Sequence, residues 1–136
     1  MKALTDAMVA LLPPGLKVYR GTVPAGPEFP YVLVSANIPD TLERSQARRR
    51  LLSGARLRCT VVGLSLDAVL AIAPQVLDAL DGARIDPPGW VTGSVQNIPN
   101  DQWVTEDTDV KLPLTNTHPM FAVLDFLVTG SSSPPP

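Results

Sequence analysis

Six of the eleven basic residues in this 136-residue chain, Arg44, Arg48, Arg49, Arg50, Arg56 and Arg58, fall within fifteen positions. Guanidinium is a planar fork of donors that is always charged, and it pairs bidentately with carboxylates or phosphates. A cluster of this type grips an acidic surface, faces a nucleic acid, or sits solvated on a loop. A groove for single-stranded nucleic acid adds aromatic platforms for the bases, and no aromatic residue lies between Val32 and Val62. Weak phosphate contacts from a ring of copies stay open, because charge multiplies with copy number. A second stretch has the opposite sign: Asn97 to Asp109 carries Asp101, Glu106, Asp107 and Asp109. Opposite charges on separate segments suit head-to-tail packing of identical subunits. The alternative is two solvated loops.

Groups for covalent or metal chemistry are sparse. His118 is the only histidine and Cys59 the only cysteine. A serine–histidine–carboxylate set needs its serine on a sharp turn, and no Gly-x-Ser-x-Gly occurs. His118 instead precedes a proline in the turn-like run Asn116-Thr117-His118-Pro119. One histidine without a cysteine cluster leaves only scattered carboxylates for a metal. Asp81 and Asp86 are near each other, but helix termination and turn chemistry account for both more simply than paired acid–base work. No dinucleotide-binding or phosphate-loop run is present. The expectation is a protein that is no enzyme and needs no metal or cofactor. Cys59 is expected to be a small buried hydrophobe. Trp90 is assigned to the core or a subunit boundary, and Trp103, in a polar loop, to an interface.

Composition sets the remaining bounds. The length suits one domain with a real core. An apolar share of 45% is ordinary for a globular protein, and a net charge of -2 favours neither a nucleic-acid binder nor a polyacidic tail. A lone cysteine gives no intramolecular disulfide, so nothing points to an oxidising compartment. Met1 to Asp6 does not have the pattern of a signal peptide. No window approaches eighteen apolar residues, so no membrane span is expected. The chain is expected to fold and act first in a cytoplasm. Its fifteen prolines fall mostly at boundaries and cut it into the short segments of an α+β domain.

The elements that must position these residues follow from periodicity. Lys2 to Leu12 predicts a helix, with Leu4, Ala7, Met8, Leu11 and Leu12 on one face, stopped by Pro13-Pro14. Leu16 to Tyr19 is a short strand candidate, and Tyr31 to Asn37 is a strand with a β-branched and aromatic start. An arm from Ile38 to Ala55 follows, polar in its middle. Long insertions of this kind inside small domains are uncommon and usually functional. Arg56 to Gly63 is the returning strand, with arginines on one face and Leu57 and Cys59 on the other. Ser65 caps a helix that runs to Leu80. Its apolar stripe is Leu66, Val69, Leu70, Ala73, Val76, Leu77 and Leu80, and Gly82 stops it. Pro74 removes one hydrogen bond of that helix and is expected to kink it. Trp90 to Gln96 is a strand, Asn97 to Thr105 a loop, Asp109 to Leu114 a further strand, and Phe121 to Thr129 a strong final strand. The expectation is one α+β domain over 1–129, with the arm at 38–55 and an extended Ser/Pro tail at 130–136. Its sheet is antiparallel or mixed, with two helices on one face.

The run Phe29-Pro30-Tyr31-Val32-Leu33-Val34, the long polar connection, Leu57 to Gly63, and the helix ending Val76-Leu77-Asp78-Ala79-Leu80 resemble the tail terminator (tail completion) proteins of long-tailed bacteriophages. The first helix and Val18-Tyr19-Arg20-Gly21-Thr22-Val23-Pro24 fit the same pattern, so the resemblance covers roughly residues 1–85. It implies a virion subunit that forms a ring, a hexamer in that family, at the neck junction of the tail, assembled in the host cytoplasm. The ring caps the major tail tube protein, ends its polymerisation and meets the neck or head-completion protein. Genomic DNA passes through its lumen without sequence-specific binding. The subunit or tail-tube contacts assigned on this basis are Arg44, Arg48, Arg49, Arg50, Leu51, Trp103 and Asp107. Two other readings stand beside it: a head–tail connector or neck adaptor, and a small α+β module that binds nucleic acid or a ligand.

Overall fold

Two long strands form the spine of the molecule. The computed structural model describes residues 2–37, 40–44, 50–99, 102–109 and 118–132. In chain order the elements are α1 (Lys2–Val9), β1 (Lys17–Arg20), β2 (Tyr31–Ala36), β3 (Asp40–Arg44), β4 (Arg50–Gly63), α2 (Leu66–Leu80), β5 (Trp90–Thr92), β6 (Gln96–Ile98), β7 (Thr105–Glu106) and β8 (Met120–Ser132). β4 and β8 pair antiparallel from Ser53 opposite Gly130 to Gly63 opposite Met120. β2 joins the other side of β4, and β1 lies parallel to β2 at the edge. β5, β6 and β7 follow one another along the far side of β8. The sheet is therefore mixed and the class α+β.

Strand alternation decides what this sheet buries. Side chains on successive residues point to opposite faces. On the inner face stand Val32 and Val34, then Ala55, Leu57, Cys59 and Val61, then Ala122, Leu124, Phe126 and Val128, all buried. Leu4 and Met8 of α1 and Val69, Val76 and Leu80 of α2 join the same cluster, so both helices cover this one face. Each large apolar side chain so buried contributes about 1.5–3 kcal/mol. The outer face carries Arg56 and Arg58, both exposed, with Thr60, Val123, Asp125 and Leu127 half-buried beside them. The alternation expected from Arg56 to Cys59 is present.

The helices start and stop by recognisable chemistry. Ser65 Oγ accepts the backbone N–H of Ala68 at 3.2 Å, Asp67 sits in the first turn, and Gly82 follows the end at φ +78. α2 continues through Pro74, which is exposed. Its apolar stripe is only partly covered. Val69, Val76 and Leu80 face the sheet, whereas Leu66 and Leu70, on the border of the stripe, remain 48% and 51% exposed. α1 ends at Val9, three residues before the expected Leu12. The chain then tightens into short turns, with Leu11 N–H donating to Met8 O and Leu12 N–H to Val9 O, both at 3.1 Å. Leu12 is still buried. At the sheet edge, Asp6 of α1 accepts from Lys2 at 2.6 Å and from Arg20 of β1 at 2.8 Å. Those two bonds hold its carboxyl below the ordinary value of 3.8.

Other boundaries depart from the sequence pattern for physical reasons. The expected strand Trp90 to Gln96 is split into β5 and β6. Between them Val95 turns inward, fully buried. Its N–H donates to Ala83 O, and its carbonyl accepts from Gly82, both at 2.7 Å. The backbone after α2 thus replaces β8 as its partner. Asn97, Ile98 and Thr105 lie in strands rather than in the expected loop. Asp109 lies in a turn, and the rest of the expected strand to Leu114 falls outside the described residues. β8 continues past Thr129 to Ser132, pairing there with β5. Gly130 permits this, because a Cβ there would come within 2.9 Å of Thr92 Cγ2.

Gly63 makes a comparable close approach: a Cβ would lie 2.9 Å from Ala68 Cβ and 3.3 Å from Val69 Cγ2, both anchored in α2. Gly63→Ala is expected to lower stability by about 1–3 kcal/mol, as overpacking does. The readout is the urea midpoint at unchanged slope, and a wild-type midpoint contradicts the contact. Asp6→Asn tests the link between α1 and β1. A carboxyl held low in the folded state stabilises it fully above 3.8, and that contribution is lost as pH falls through the depressed value. The stability gap between wild type and Asp6→Asn is therefore expected to narrow on acidification, measured by denaturation across the acid range. A gap independent of pH contradicts the pairing.

Candidate functional site

The arm is an extension of the spine. Asp40 pairs with Gly54, Thr41 with Ser53, Glu43 with Leu52 and Arg44 with Arg50, with register shifts at Glu43. β8 pairs with β4 only from Ser53 onward. Residues 50–52 of β4 therefore pair with β3 alone among the described residues. The arm is a two-stranded ribbon that projects past the last β4–β8 pair. Such a ribbon is marginal in water by itself, and strand edges of the kind left unpaired here among the described residues can bond to another chain.

The candidate contacts fall into two groups. Arg44, Arg50 and Leu51 lie on the ribbon, with Arg44 opposite Arg50 in register. Arg48 and Arg49 lie outside the described residues. Trp103 and Asp107 are elsewhere, beside β7, which pairs Thr105 with Phe121 and Glu106 with Met120. Met120 and Gly130 are ten residues apart along β8, about 34 Å at strand rise. Glu106 and the adjoining Asp107 thus stand at the opposite end of the sheet from the basic ribbon. Trp103 is 77% exposed. Asp107 holds its own turn together. Its N–H donates to Pro119 O at 2.8 Å, and its carboxylate accepts the N–H of Asp109 at 3.2 Å. It also lies near enough to Tyr31 that, after burial, its charge raises that phenol.

At the root of the arm lies a cleft of about 370 Å³, lined mainly by Ser35, Asn37, Arg56, Arg58, Ile98 and Asp125. Arg58 and Asp125 are opposite in register and form a two-pronged pair, Nε to Oδ1 at 2.9 Å and Nη2 to Oδ2 at 3.3 Å. The bonds to Asp125 hold the guanidinium proton more firmly and raise the Arg58 pKa. Asn37 Oδ1 accepts the backbone N–H of Arg56 at 2.8 Å, closing the base of the arm. Asn97 Nδ2 donates to Asp125 O at 2.9 Å and to Gln102 Oε1 at 3.1 Å. Asp125 and Asn37 are absent from the contacts expected on the sequence. Asp125 is detectable there as the one charge inside the final apolar strand, but only the register shows that it faces Arg58.

The groups singled out for chemistry on the sequence are placed as follows. Cys59 is fully buried; burial first, and then the charge of Asp125, push its thiol up to about 12. His118 Nε2 lies 3.9 Å from Glu106 Oε1, at the acidic end of the sheet. Among the described residues no three His, Cys, Asp or Glu side chains gather as metal ligands would, and no helix is long and apolar enough to cross a membrane.

No family model matches the chain, and no curated protein matches it. Among solved structures it is similar to a chain in the virion of a native gene transfer agent (GTA) particle, at 19% identity and a TM-score of 0.49, with 95% of this chain and 90% of that chain covered. A likeness at this level carries no argument about function.

Since the thiolate is the reactive form, Cys59 is expected to resist alkylation in the folded protein at mildly alkaline pH and to react on unfolding. Mass spectrometry of iodoacetamide-treated samples checks this; rapid labelling of the native chain contradicts its burial.

Proposed function

We propose that this protein is a structural assembly subunit of a tailed virion, and specifically a ring-forming tail terminator. The observation that carries the reading is the projecting ribbon of β3 and the start of β4. A chain that extends its central strand past its last pair with β8, with only β3 bonded to the extension among the described residues, has built a handle for another polypeptide. The residue patterns shared with tail terminator proteins supply the finer reading. In it the ring is a hexamer that caps the major tail tube protein, ends its growth and meets the neck protein, while DNA passes through the lumen. The protein resides at the neck end of the tail and has no enzymatic role. The arginines of the arm, Arg44, Arg48, Arg49 and Arg50, with Leu51, are its tube or neighbour contacts.

Light scattering is expected to show a species near six times the 14.5 kDa chain mass, either alone or with tube protein. A strict monomer that binds DNA tightly at physiological salt supports a nucleic-acid module instead. Replacing Arg48, Arg49 and Arg50 with glutamate is expected to leave circular dichroism and urea midpoint unchanged while abolishing capping of tube protein in electron micrographs. Normal capping removes the arm from the interface.

A further inference from the structure

The cleft at the root of the arm has an unbalanced set of donors. Arg58 is neutralised by Asp125. Arg56 is exposed and has no acidic partner among the described residues. With its Oδ1 engaged by the Arg56 N–H, Asn37 has its amide nitrogen left to donate among the described residues. The Ser35 hydroxyl lines the same space. One uncompensated guanidinium beside a hydroxyl and an amide forms a receptor for carboxylate.

The complementary surface is on the same chain but beyond its reach. Glu106 and Asp109 are exposed, and neither has a lysine or arginine partner among the described residues. Glu106 pairs with Met120 and Arg56 with Leu127, seven residues apart on β8 or about 24 Å. The two surfaces therefore cannot meet within one copy. Trp103, three residues before Glu106 in the sequence, is exposed and supplies apolar area that can exclude water from a contact. Charge attraction strengthens where water is excluded.

We propose that the Arg56 cleft receives the carboxylates of Glu106 and Asp109 from a second copy of this chain. This rests on the ring reading above and names its subunit contact. The two surfaces differ, so the contact is head-to-tail; it repeats from copy to copy and closes into a ring when the rotation allows. Asp107 is not part of the contact, because its carboxylate holds the local turn.

The test uses Arg56→Glu, the paired change Glu106→Lys with Asp109→Lys, and their equimolar mixture, followed by sedimentation velocity. In each variant alone, like charges meet at every contact. Each is expected to need about tenfold or more protein to assemble, as loss of a partly desolvated charge pair requires. In the mixture every contact again joins opposite charges when the two variants alternate, so assembly is expected to return near the wild-type concentration. That rescue also shows that both variants are folded. Wild-type assembly by either variant alone overturns the pairing and leaves the ring reading standing, as does failure of the mixture to assemble. Arg56→Glu rings that form normally but no longer cap tubes reassign the cleft to the tube protein and overturn the proposal. A wild-type chain that stays monomeric with and without tube protein overturns the ring reading and this contact together.

Discussion

The pairing of β4 with β8 is the constraint on which everything else depends. β2 hangs on one side of this pair and the three short strands on the other, and both helices lie across its inner face. Each backbone hydrogen bond adds only about 0.5–1.5 kcal/mol net, but leaving its groups unpaired in a dry core costs more. Register is held by consequence. A slip of one residue turns every side chain over, which would drive Arg56, Arg58 and Asp125 into the core and push Leu57, Cys59 and Phe126 into water. A buried unpaired charge is far more costly than any alternative packing could recover.

The same pairing gives the sheet two unlike faces. The inner face is covered by α1 and α2. Among the described residues no helix covers the outer face, and its charges are arranged by strand position. Arg58 and Asp125 meet because they are opposite in register, and such a partly exposed pair adds up to ~1 kcal/mol. Its larger effect is on charge. With Arg58 cancelled, Arg56 is the one uncompensated charge among the described residues that line the cleft beside the arm, while Glu106 keeps its own sign at the far end of β8. A sheet with unlike ends favours contacts between different surfaces of identical copies.

Elements whose signal is local were legible in the sequence. α2 was readable from its serine cap, its stripe and its glycine stop. β4 and β8 were readable from β-branched runs and alternation, and the inward placing of Leu57 and Cys59 follows from the alternation of β4. What could not be read depends on distant partners. The split of β5 from β6 arises because the backbone after α2 captures Val95. The extra length of β8 exists because β5 packs on Gly130. For the proposed site, the arginine cluster was visible, but not its division: Arg58 is cancelled by a residue sixty-seven positions away, and Asp107 is occupied with its own turn.

Because one strand of the arm is the start of β4 itself, load applied to it travels straight down the spine. A companion that tugs on the ribbon along its length pulls against eleven paired positions between Ser53 and Gly63 at once. They resist in shear, sharing the strain, rather than peeling open one after another. The handle is thus anchored in the most mechanically resistant direction the sheet possesses.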